Sequence, residues 1–370
     1  MTAVLCSKYR NMETGATDSK IYNVVGDQVT LNPRYKCKQL FTDLLTPFNE
    51  VMRVPHYEAQ PELMEASKTP KAVNPISEKE FYVGIWKTLK EYISENWSQT
   101  KHHVIQHSSG FDSRIMSSII REIYRERGDD WLGEVALVCW GYERALAKKI
   151  AVTEGWAPNQ FHSLPKDDAY FKRCLAFDYA WKGLNGASGY PINNPEWGFQ
   201  VLRERGVVPE DPEKTQVWAA SWFNEVFKAL VKKESFEDGF IKFYYNCLNA
   251  QHGAAFDFEF VQPLMNPKTI SFVVGARVKL PAPVIKARQR FMEQSCRKVR
   301  HIPRADPQKI PLPRKIFLQT IQDYNESWYG KTRKANVFKE MGIMAYNHWW
   351  EQWSLASLVE HLINEGIDVK

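Results

Sequence analysis

The chain has 370 residues, of which 44% are hydrophobic and 25% charged, and these values exclude a disordered chain, a collagen and a coiled-coil rod. The formal net charge of +6 suits an anionic ligand such as a nucleotide, but is too small to indicate nucleic-acid binding by itself. No apolar run approaches the roughly 18 residues of a membrane helix, and the N-terminus lacks the apolar core of a signal peptide, so a cytoplasmic protein is expected.

Residues 1–76 are predicted to form an extension that precedes the main domain. Two short runs that flank a Gly-Asp pair predict a small β-hairpin over residues 20–31. Residues 54–76 carry four prolines among polar residues, which favours a linker or a loop that crosses the surface. The main domain is then expected over residues 77–330, with a helical tail over 331–370.

Regular structure is predicted from Ser77 onward, because Ser77 and Glu80 have the spacing of a capping box. Behind them, apolar residues recur every four positions, as on one face of a helix: Phe81, Ile85, Leu89 and Ile93. The pattern then predicts a strand around 104–105, a helix over 115–124 that Gly128 ends, a strand over 134–140 and a helix over 144–154. Alternating strands and helices predict parallel strands joined by crossover helices.

The second half of the chain has a more mixed pattern. It predicts helices over 197–205, 224–233, 263–280, 284–301 and 349–362, a strand over 216–219, and a loop where prolines cluster at 303–313. The 284–301 helix is basic, and we interpret it as a solvated face that could attract a polyanion. The last helix is rich in Trp and Leu and is expected to pack on the main body.

The sharpest feature is the turn Ser108-Ser109-Gly110-Phe111-Asp112-Ser113, which follows a predicted strand and opens a predicted helix. Backbone N–H groups at a helix N-terminus, with hydroxyls and a small residue for close approach, form a cradle for an anion. Asp112 is placed to hold Mg²⁺, because carboxylates suit that hard cation. The simpler interpretation is a helix cap with an acidic residue favoured by the helix dipole.

This turn resembles the SGGxDS pyrophosphate loop of the PP-loop ATP pyrophosphatases, with Ser109 where the second position is usually Gly. Further segments, in the same order along the chain, resemble the synthetase domain of asparagine synthetase and β-lactam synthetase. They are residues 141–155 on the adenine side, 217–227 at a GxGxDE(V/L)F loop, 259–266 at an ExRxPFLD segment and 309–313 at the loop of the catalytic lysine.

The resemblance implies an α/β fold of the HUP-like (adenine nucleotide alpha hydrolase-like) type, in which helices flank a five-stranded parallel sheet. It also implies an AMP-forming C–N ligase that uses ATP and Mg²⁺ to activate a carboxylate or similar oxygen as an adenylate for attack by ammonia or an amine. The implied nucleotide contacts are Ser108, Ser109, Gly110, Asp112, Ser113, Val138, Trp140 and Gly141. The implied metal ligands are Asp112, Asn224 and Glu225, and the implied catalytic residues are Lys309, Lys315 as second choice, and Glu259.

The chain also departs from the family pattern. In the second loop, the Gly-containing segment and its metal-binding Asp are replaced by Ala220, Ser221, Trp222 and Asn224, and Val261 stands where the family has Arg. Asn ligates without charge, so Mg²⁺ binding is expected to be weaker or to depend on Glu225. No N-terminal glutaminase domain is expected, because Thr2 stands where that domain needs Cys. Nitrogen would then come from free ammonia, from a partner's ammonia or from an amine substrate.

Two other hypotheses stay open. One is a PP-loop enzyme that modifies a nucleobase or nucleic acid, although its sulfur-transfer branch is disfavoured because the six cysteines form no CxxC pair. The other is a nucleotide-binding module that has lost catalysis with its altered second loop. His103 and His107 lie four residues apart and suit either metal ligation or, more simply, a structural role beside the turn.

Overall fold

The computed structural model describes residues 9–18, 21–33, 46–128, 135–140, 143–164, 195–218, 223–242, 259–305, 314–333 and 345–370. The strands are β1 (Tyr9–Asn11), β2 (Thr17–Asp18), β3 (Gln28–Val29), β4 (Val51–Arg53), β5 (His102–Gln106), β6 (Val135–Trp140), β7 (Phe161–Leu164), β8 (Thr215–Trp218), β9 (Glu259–Val261) and β10 (Asp368–Val369). The α-helices are α1 (His56–Ala59), α2 (Pro61–Ser67), α3 (Glu78–Asn96), α4 (Phe111–Arg127), α5 (Arg144–Glu154), α6 (Pro195–Glu204), α7 (Phe223–Lys232), α8 (Pro267–Gly275), α9 (Val284–Ser295), α10 (Arg314–Glu326), α11 (Trp328–Arg333) and α12 (Ala345–Asn364).

The centre of the fold is a sheet with the strand order β7-β6-β5-β8-β9, in which every pairing is parallel. The sequence of β6, Val-Ala-Leu-Val-Cys-Trp, is apolar throughout, as expected for a strand of a parallel sheet that is covered on both faces. Helix α4 connects β5 to β6, and α5 lies between β6 and β7 along the chain. The predicted α/β class with a parallel sheet and crossover helices is therefore confirmed.

The predicted start of α3 and the predicted ends of α4 and α5 are confirmed, whereas α4 begins at Phe111, before the predicted 115. Ser77 caps α3 through a reciprocal capping box, in which the Glu80 N–H donates to Ser77 Oγ at 3.2 Å and the Ser77 N–H donates to Glu80 Oε2 at 2.7 Å. Helix α4 ends at Gly128 and α5 at Gly155, where φ is 92° and 94°. Glycine adopts such values at little cost, and this explains why both helices end there.

Two apolar layers cover the two faces of the sheet. The first layer is built by α3, α4, α7, α8 and α9, and it receives Ile105 from β5. The second layer contains the N-terminal strands and α12, and it receives Val104 from the same strand. Neighbouring residues of a strand point to opposite faces, so the alternation along β5 supplies both layers. The helical tail packs on the main body as predicted, with Trp353 and Leu358 buried in the second layer.

The predicted β-hairpin over residues 20–31 is wrong. Residues Ile21–Asn23 form a 3₁₀ turn, and β3 pairs in parallel with β10 from the other end of the chain. The Asp368 N–H donates to the Asp27 carbonyl and the Lys370 N–H to the Val29 carbonyl, both at 2.9 Å. The local pattern did indicate an extended segment, but it cannot reveal a strand partner so distant in sequence. Strands β2, β1 and β4 form a separate antiparallel sheet.

The linker predicted for residues 54–76 contains the short helices α1 and α2. Pro61 occupies the first position of α2, where the N–H that proline lacks would have no intrahelical partner. Leu63, Met64 and Ala66 are buried in the first layer, and α2 packs on α8. Pro61 therefore starts a helix that belongs to the core, and the linker prediction is wrong for this part of the segment.

The apolar helix predicted over 263–280 is shorter in the structure, where α8 begins at Pro267 and ends at Gly275. Asn266 sets its start, because its Oδ1 accepts the Thr269 N–H at 2.7 Å. The basic helix α9 ends at Ser295 rather than near residue 301. Within the described parts of the chain, no helix combines the length and apolar character that a membrane crossing needs.

Candidate anion site

The predicted anion cradle lies at the carboxyl end of β5, the middle strand of the parallel sheet. From β5 the chain passes through α4 to β6 on one side, whereas β8 lies on the other side. The chain connections diverge at this position, and open α/β sheets bind ligands at such a switch point, outside the carboxyl ends of the strands. We call residues 108–113 the corner.

The N-terminus of α4 has no side-chain cap from its own N-cap residue. That residue is Gly110, which has no side chain that could accept a hydrogen bond. The first N–H groups of a helix have no intrahelical acceptor, and the helix dipole makes this end attractive to anions. A Cβ on Gly110 would lie 3.1 Å from Ser108 Oγ, so the glycine relieves crowding where a ligand would approach.

Two of the predicted serines hold the corner in shape. Ser108 Oγ lies 2.8 Å from Ser113 Oγ and accepts the Gly110 N–H at 3.0 Å. Ser113 Oγ also lies 3.0 Å from the Ser108 carbonyl oxygen and 3.2 Å from that of Gly110. Ser108 is partly exposed and Ser113 is buried. A ligand that used these hydroxyls would therefore exchange bonds that are already made within the turn.

Ser109 faces the protein interior and is fully buried. Its N–H and its hydroxyl both donate to Oε2 of Glu143, at 2.9 and 2.5 Å, and its Oγ accepts the Ala305 N–H at 2.9 Å. The side chain that stands where the family has Gly therefore anchors the corner to the start of α5 and to residue 305. In this arrangement, the Ser109 hydroxyl has the Glu143 carboxylate as its partner.

Arg114 is fully buried and is hydrogen-bonded to the backbone of the corner. Its Nε and Nη2 donate to the Ser109 carbonyl at 3.1 and 2.7 Å. The same side chain donates to the carbonyls of Val299 at 3.2 Å, Ile302 at 2.6 Å and Pro303 at 2.8 Å. Burial lowers the pKa of Arg114 from its ordinary value. One guanidinium thus fixes the corner against residues 299–303, distant in sequence.

Arg288 of α9 brings together Asp112 and Asn224, two of the predicted metal ligands. Its Nη2 lies 2.9 Å from both carboxylate oxygens of Asp112, and its Nη1 donates to Asn224 Oδ1 at 3.4 Å. The side chains of Asp112 and Arg288 are each 15% exposed, so the ion pair is largely buried. Burial raises the pKa of Asp112 to about 6, and the charges of Arg288 and Arg304 oppose that rise.

The predicted Mg²⁺ ligands do not fit a metal ion in this arrangement. The oxygens of Asp112 and Asn224 accept from Arg288, and Glu225 accepts from Asn224 Nδ2 at 2.8 Å and from Lys228 Nζ at 3.3 Å. In the part of the chain that the structure describes, no three His, Cys, Asp or Glu side chains group so as to hold a metal ion. A divalent cation at Asp112 would have to displace a guanidinium of the same charge sign.

Glu259 lies at the opposite edge of the sheet from the corner. It is the first residue of β9 and pairs with Gln216, which pairs with His103 near the start of β5. All three positions lie at the amino edge because the strands are parallel, whereas the corner follows the carboxyl edge. The Glu259 carboxylate accepts from Lys101 Nζ and from Gln216 Nε2, both at 2.8 Å. The structure therefore separates Glu259 from the corner, and its predicted catalytic role stays a prediction.

The other predicted residues are only partly described. Val138 adjoins the corner through its carbonyl oxygen, which accepts the His107 N–H at 2.8 Å, but its side chain is buried in the second layer. Trp140 ends β6 at the same edge of the sheet, and Lys315 is exposed in the first turn of α10. Several residues lie outside the described parts of the chain, so their roles stay predictions: Gly141, Lys309, Ala220, Ser221 and Trp222.

His103 and His107 have structural roles in the described fold. His103 Nε2 lies 2.6 Å from the Ser98 carbonyl oxygen, and its Nδ1 accepts from Trp218 Nε1 at 3.1 Å, so both ring nitrogens are engaged. His107 Nε2 lies 3.0 Å from the Ala147 carbonyl oxygen. Burial lowers the pKa of each histidine to about 4. The metal-ligand interpretation is therefore wrong for His103, and the simpler structural interpretation holds.

Replacing His103 should make the fold less sensitive to acid. Its pKa is about 4 in the folded chain and 6.5 ordinarily, so the unfolded chain binds the extra proton and stability falls as pH falls through that window. The full loss is roughly 3 kcal/mol per histidine. Burial raises the pKa of Glu154 to about 7, and this carboxyl acts in the opposite sense.

The histidine's effect is isolated by comparing wild type with His103→Gln, because Glu154 is common to both proteins. Urea unfolding at pH 6.5 and at pH 4 should show a larger loss of stability for wild type, by an amount that approaches roughly 3 kcal/mol. Equal losses for the two proteins would show that His103 does not titrate as a buried neutral group.

Some residues at the corner carry no clear signal in the sequence pattern: Arg114, Glu143, Arg288 and Arg304. Helix α9 was interpreted as a solvated basic face, yet Arg288 is only 15% exposed, whereas Arg290 is 57% exposed. The sequence contains one indication that Arg288 faces the core. The apolar residues Phe291 and Met292 follow it by three and four positions. Residues at that spacing share a helix face, and both are buried.

A scan against protein-family models gives no match for this chain, and a search of the curated proteins gives none either. The features that indicate a function are therefore the geometry of the corner and the resemblance of its turn to the PP-loop.

Proposed function

We propose that the corner binds the phosphates of ATP and that the chain is an AMP-forming C–N ligase of the asparagine synthetase type. The observation that carries the proposal is the N-terminus of α4, with glycine as its N-cap residue, at the switch point of a parallel sheet. A carboxylate or similar oxygen would attack the α-phosphorus, form an acyl-adenylate and release pyrophosphate. Ammonia or an amine would then displace AMP.

The charges around the corner support this proposal. The guanidinium groups of Arg288 and Arg304 lie 6.0 and 5.5 Å from the centre of the Phe111 ring, in the first turn of α4. Fixed cations and helix-terminal amides stabilise the negative charge that develops on a leaving pyrophosphate. Lys309 remains the first choice for a lysine beside the α-phosphate, with Lys315 as the second.

A nucleotide-binding module without catalysis is the second candidate function. The observation that favours it is the ion pair between Asp112 and Arg288, because it occupies the carboxylate that the family uses for Mg²⁺. This candidate shares the phosphate site with the ligase and differs only in turnover. Binding and turnover must therefore be measured separately.

The variant Gly110→Val tests the phosphate site. Gly110 has φ −67° and ψ 161°, which other residues also adopt, so the fold is expected to survive. The added side chain would crowd Ser108 Oγ and block the approach to the α4 amides. We expect ATP binding, measured by isothermal titration calorimetry, to weaken by about tenfold or more. Gly26→Val is the matched control, because Gly26 is exposed and a Cβ there meets nothing within 4 Å.

Turnover is measured as pyrophosphate release from ATP with ammonium and a panel of amino acids as carboxylates. Release that Gly110→Val abolishes and Gly26→Val preserves supports the ligase. ATP binding without release supports the second candidate. If wild type does not bind ATP, or if the two glycine variants bind it equally well, the corner is not the phosphate site.

A further inference from the structure

The place expected for a divalent cation, between Asp112 and Asn224, is taken by a side chain of this protein. Arg288 contacts both oxygens of Asp112 at 2.9 Å and Asn224 Oδ1 at 3.4 Å. We propose that Arg288 replaces the cation, so that the corner binds nucleotide phosphates without a divalent metal. This inference rests on the proposed nucleotide binding at the corner and goes beyond the Mg²⁺ dependence that the resemblance implies.

The candidate ligands suit a guanidinium better than they suit Mg²⁺. Asp112 offers one negative charge, Asn224 offers a neutral carbonyl oxygen, and Glu225 is engaged by Asn224 and Lys228. A planar guanidinium suits a carboxylate, and here Nη2 of Arg288 contacts both oxygens of Asp112 while Nε lies 3.3 Å from Oδ1. Arg288 is thus bound by the oxygens that a metal ion would need.

Arg288 keeps donor capacity for a ligand. A guanidinium carries five N–H groups. The described contacts are Nε at 3.3 Å from Asp112 Oδ1, Nη2 at 2.9 Å from both Asp112 oxygens, and Nη1 at 3.4 Å from Asn224 Oδ1. The second Nη1 hydrogen is then available to a phosphate oxygen. Arg288 would then bridge Asp112 and the ligand. Asp112 holds the guanidinium in place, and the guanidinium contacts the phosphates.

The position of Arg288 is fixed by the helix that carries it. Ala287, Phe291 and Met292 are buried in the first layer, and the Ala287 carbonyl accepts from Tyr82 Oη at 3.1 Å. Displacing Arg288 would leave its charge without a partner in a largely buried place, and this is costly. Metal binding to Asp112 is therefore opposed by the packing of α9 as well as by charge.

The first test is ATP binding by isothermal titration calorimetry, in buffer with EDTA and in buffer with Mg²⁺. We expect dissociation constants that differ by less than about fivefold, a change of about 1 kcal/mol. A larger gain with Mg²⁺, or binding only with Mg²⁺, overturns the inference and leaves the proposed nucleotide binding intact. No binding in either buffer overturns both.

The second test uses Arg288→Gln, with Arg290→Gln as the matched control. Arg290 lies on the same helix and pairs with Glu78 at 2.9 Å, but it is 57% exposed. In EDTA buffer we expect Arg288→Gln to weaken ATP binding by about tenfold or more, and Arg290→Gln to leave it within about twofold. Equal binding by the two variants would contradict the role of Arg288.

The third test needs no nucleotide. Removing the guanidinium should free Asp112 and Asn224, so Arg288→Gln should bind Mn²⁺ more tightly than wild type, as measured by electron paramagnetic resonance. The double variant Asp112→Asn, Arg288→Gln should lose that gain. If wild type binds Mn²⁺ as tightly as Arg288→Gln does, the guanidinium does not occupy a cation's place and the inference is overturned.

Discussion

Replacing Arg114 with Met is expected to lower the free energy of unfolding by about 3–5 kcal/mol, because it removes the donors that a fully buried side chain supplies to four carbonyls. The buried guanidinium satisfies the carbonyls of Ser109, Val299, Ile302 and Pro303. Methionine has a similar length and fills much of the space, but it donates no hydrogen bond. The carbonyls of the buried residues Ser109, Val299 and Ile302 would then lose the donor they have now.

Urea denaturation followed by circular dichroism measures this loss. Arg290→Met is the matched control, because Arg290 is 57% exposed and has a surface ion pair, so its loss should stay within about 0.5 kcal/mol. Arg114→Lys should restore only part of the stability, because an ammonium cannot reach carbonyls on two sides. A cost for Arg114→Met below about 1 kcal/mol would contradict the anchoring role.

Replacing Trp353 with Ala is expected to cost about 3–5 kcal/mol of unfolding free energy, the usual range for emptying a large buried aromatic site. Trp353 is fully buried in the second layer, where α12 covers the sheet face that carries Val104 and Val217. Its loss would leave a cavity in this layer. The prediction therefore tests whether α12 belongs to the folded core.

Thermal and urea unfolding of Trp353→Ala should be compared with those of Leu318→Ala. Leu318 lies on α10 and is 53% exposed, so its truncation should change stability by no more than about 0.5 kcal/mol. A Trp353 variant as stable as the Leu318 variant would mean that α12 contributes little to covering the sheet.

The elements that the sequence predicts well are those fixed by neighbouring residues. The capping box of Ser77 and Glu80, the repeat through Ile85 and Leu89, and the end of α4 at Gly128 involve residues a few positions apart. Capping bonds, helix faces and glycine ends are local, so a short window contains the physical information that sets them. The position of the corner between a strand and a helix was predictable for the same reason.

The parts that were not predictable depend on partners distant in sequence. Strand β3 pairs with β10, and no pattern of neighbouring residues identifies that partner. Arg288 appears in a basic run whose charges look alike, yet only the fold shows which one turns towards Asp112. Glu259 matched a motif by order along the chain, but the register of β9 places it at the amino edge. The order of motifs along the chain does not determine at which edge of a sheet a residue lies. It also does not determine which group neutralises the charge of that residue.

The wide separation of Asp112 and Arg288, 176 residues apart, has a consequence for biosynthesis. A nascent chain that has emerged only as far as α8 already contains β5 and α4, but it lacks the guanidinium beside Asp112 and the carbonyls that Arg114 needs. Contacts so far apart close late. The corner therefore acquires these partners only after most of the polypeptide has been synthesised, and under the proposed function prematurely terminated products should not bind nucleotide.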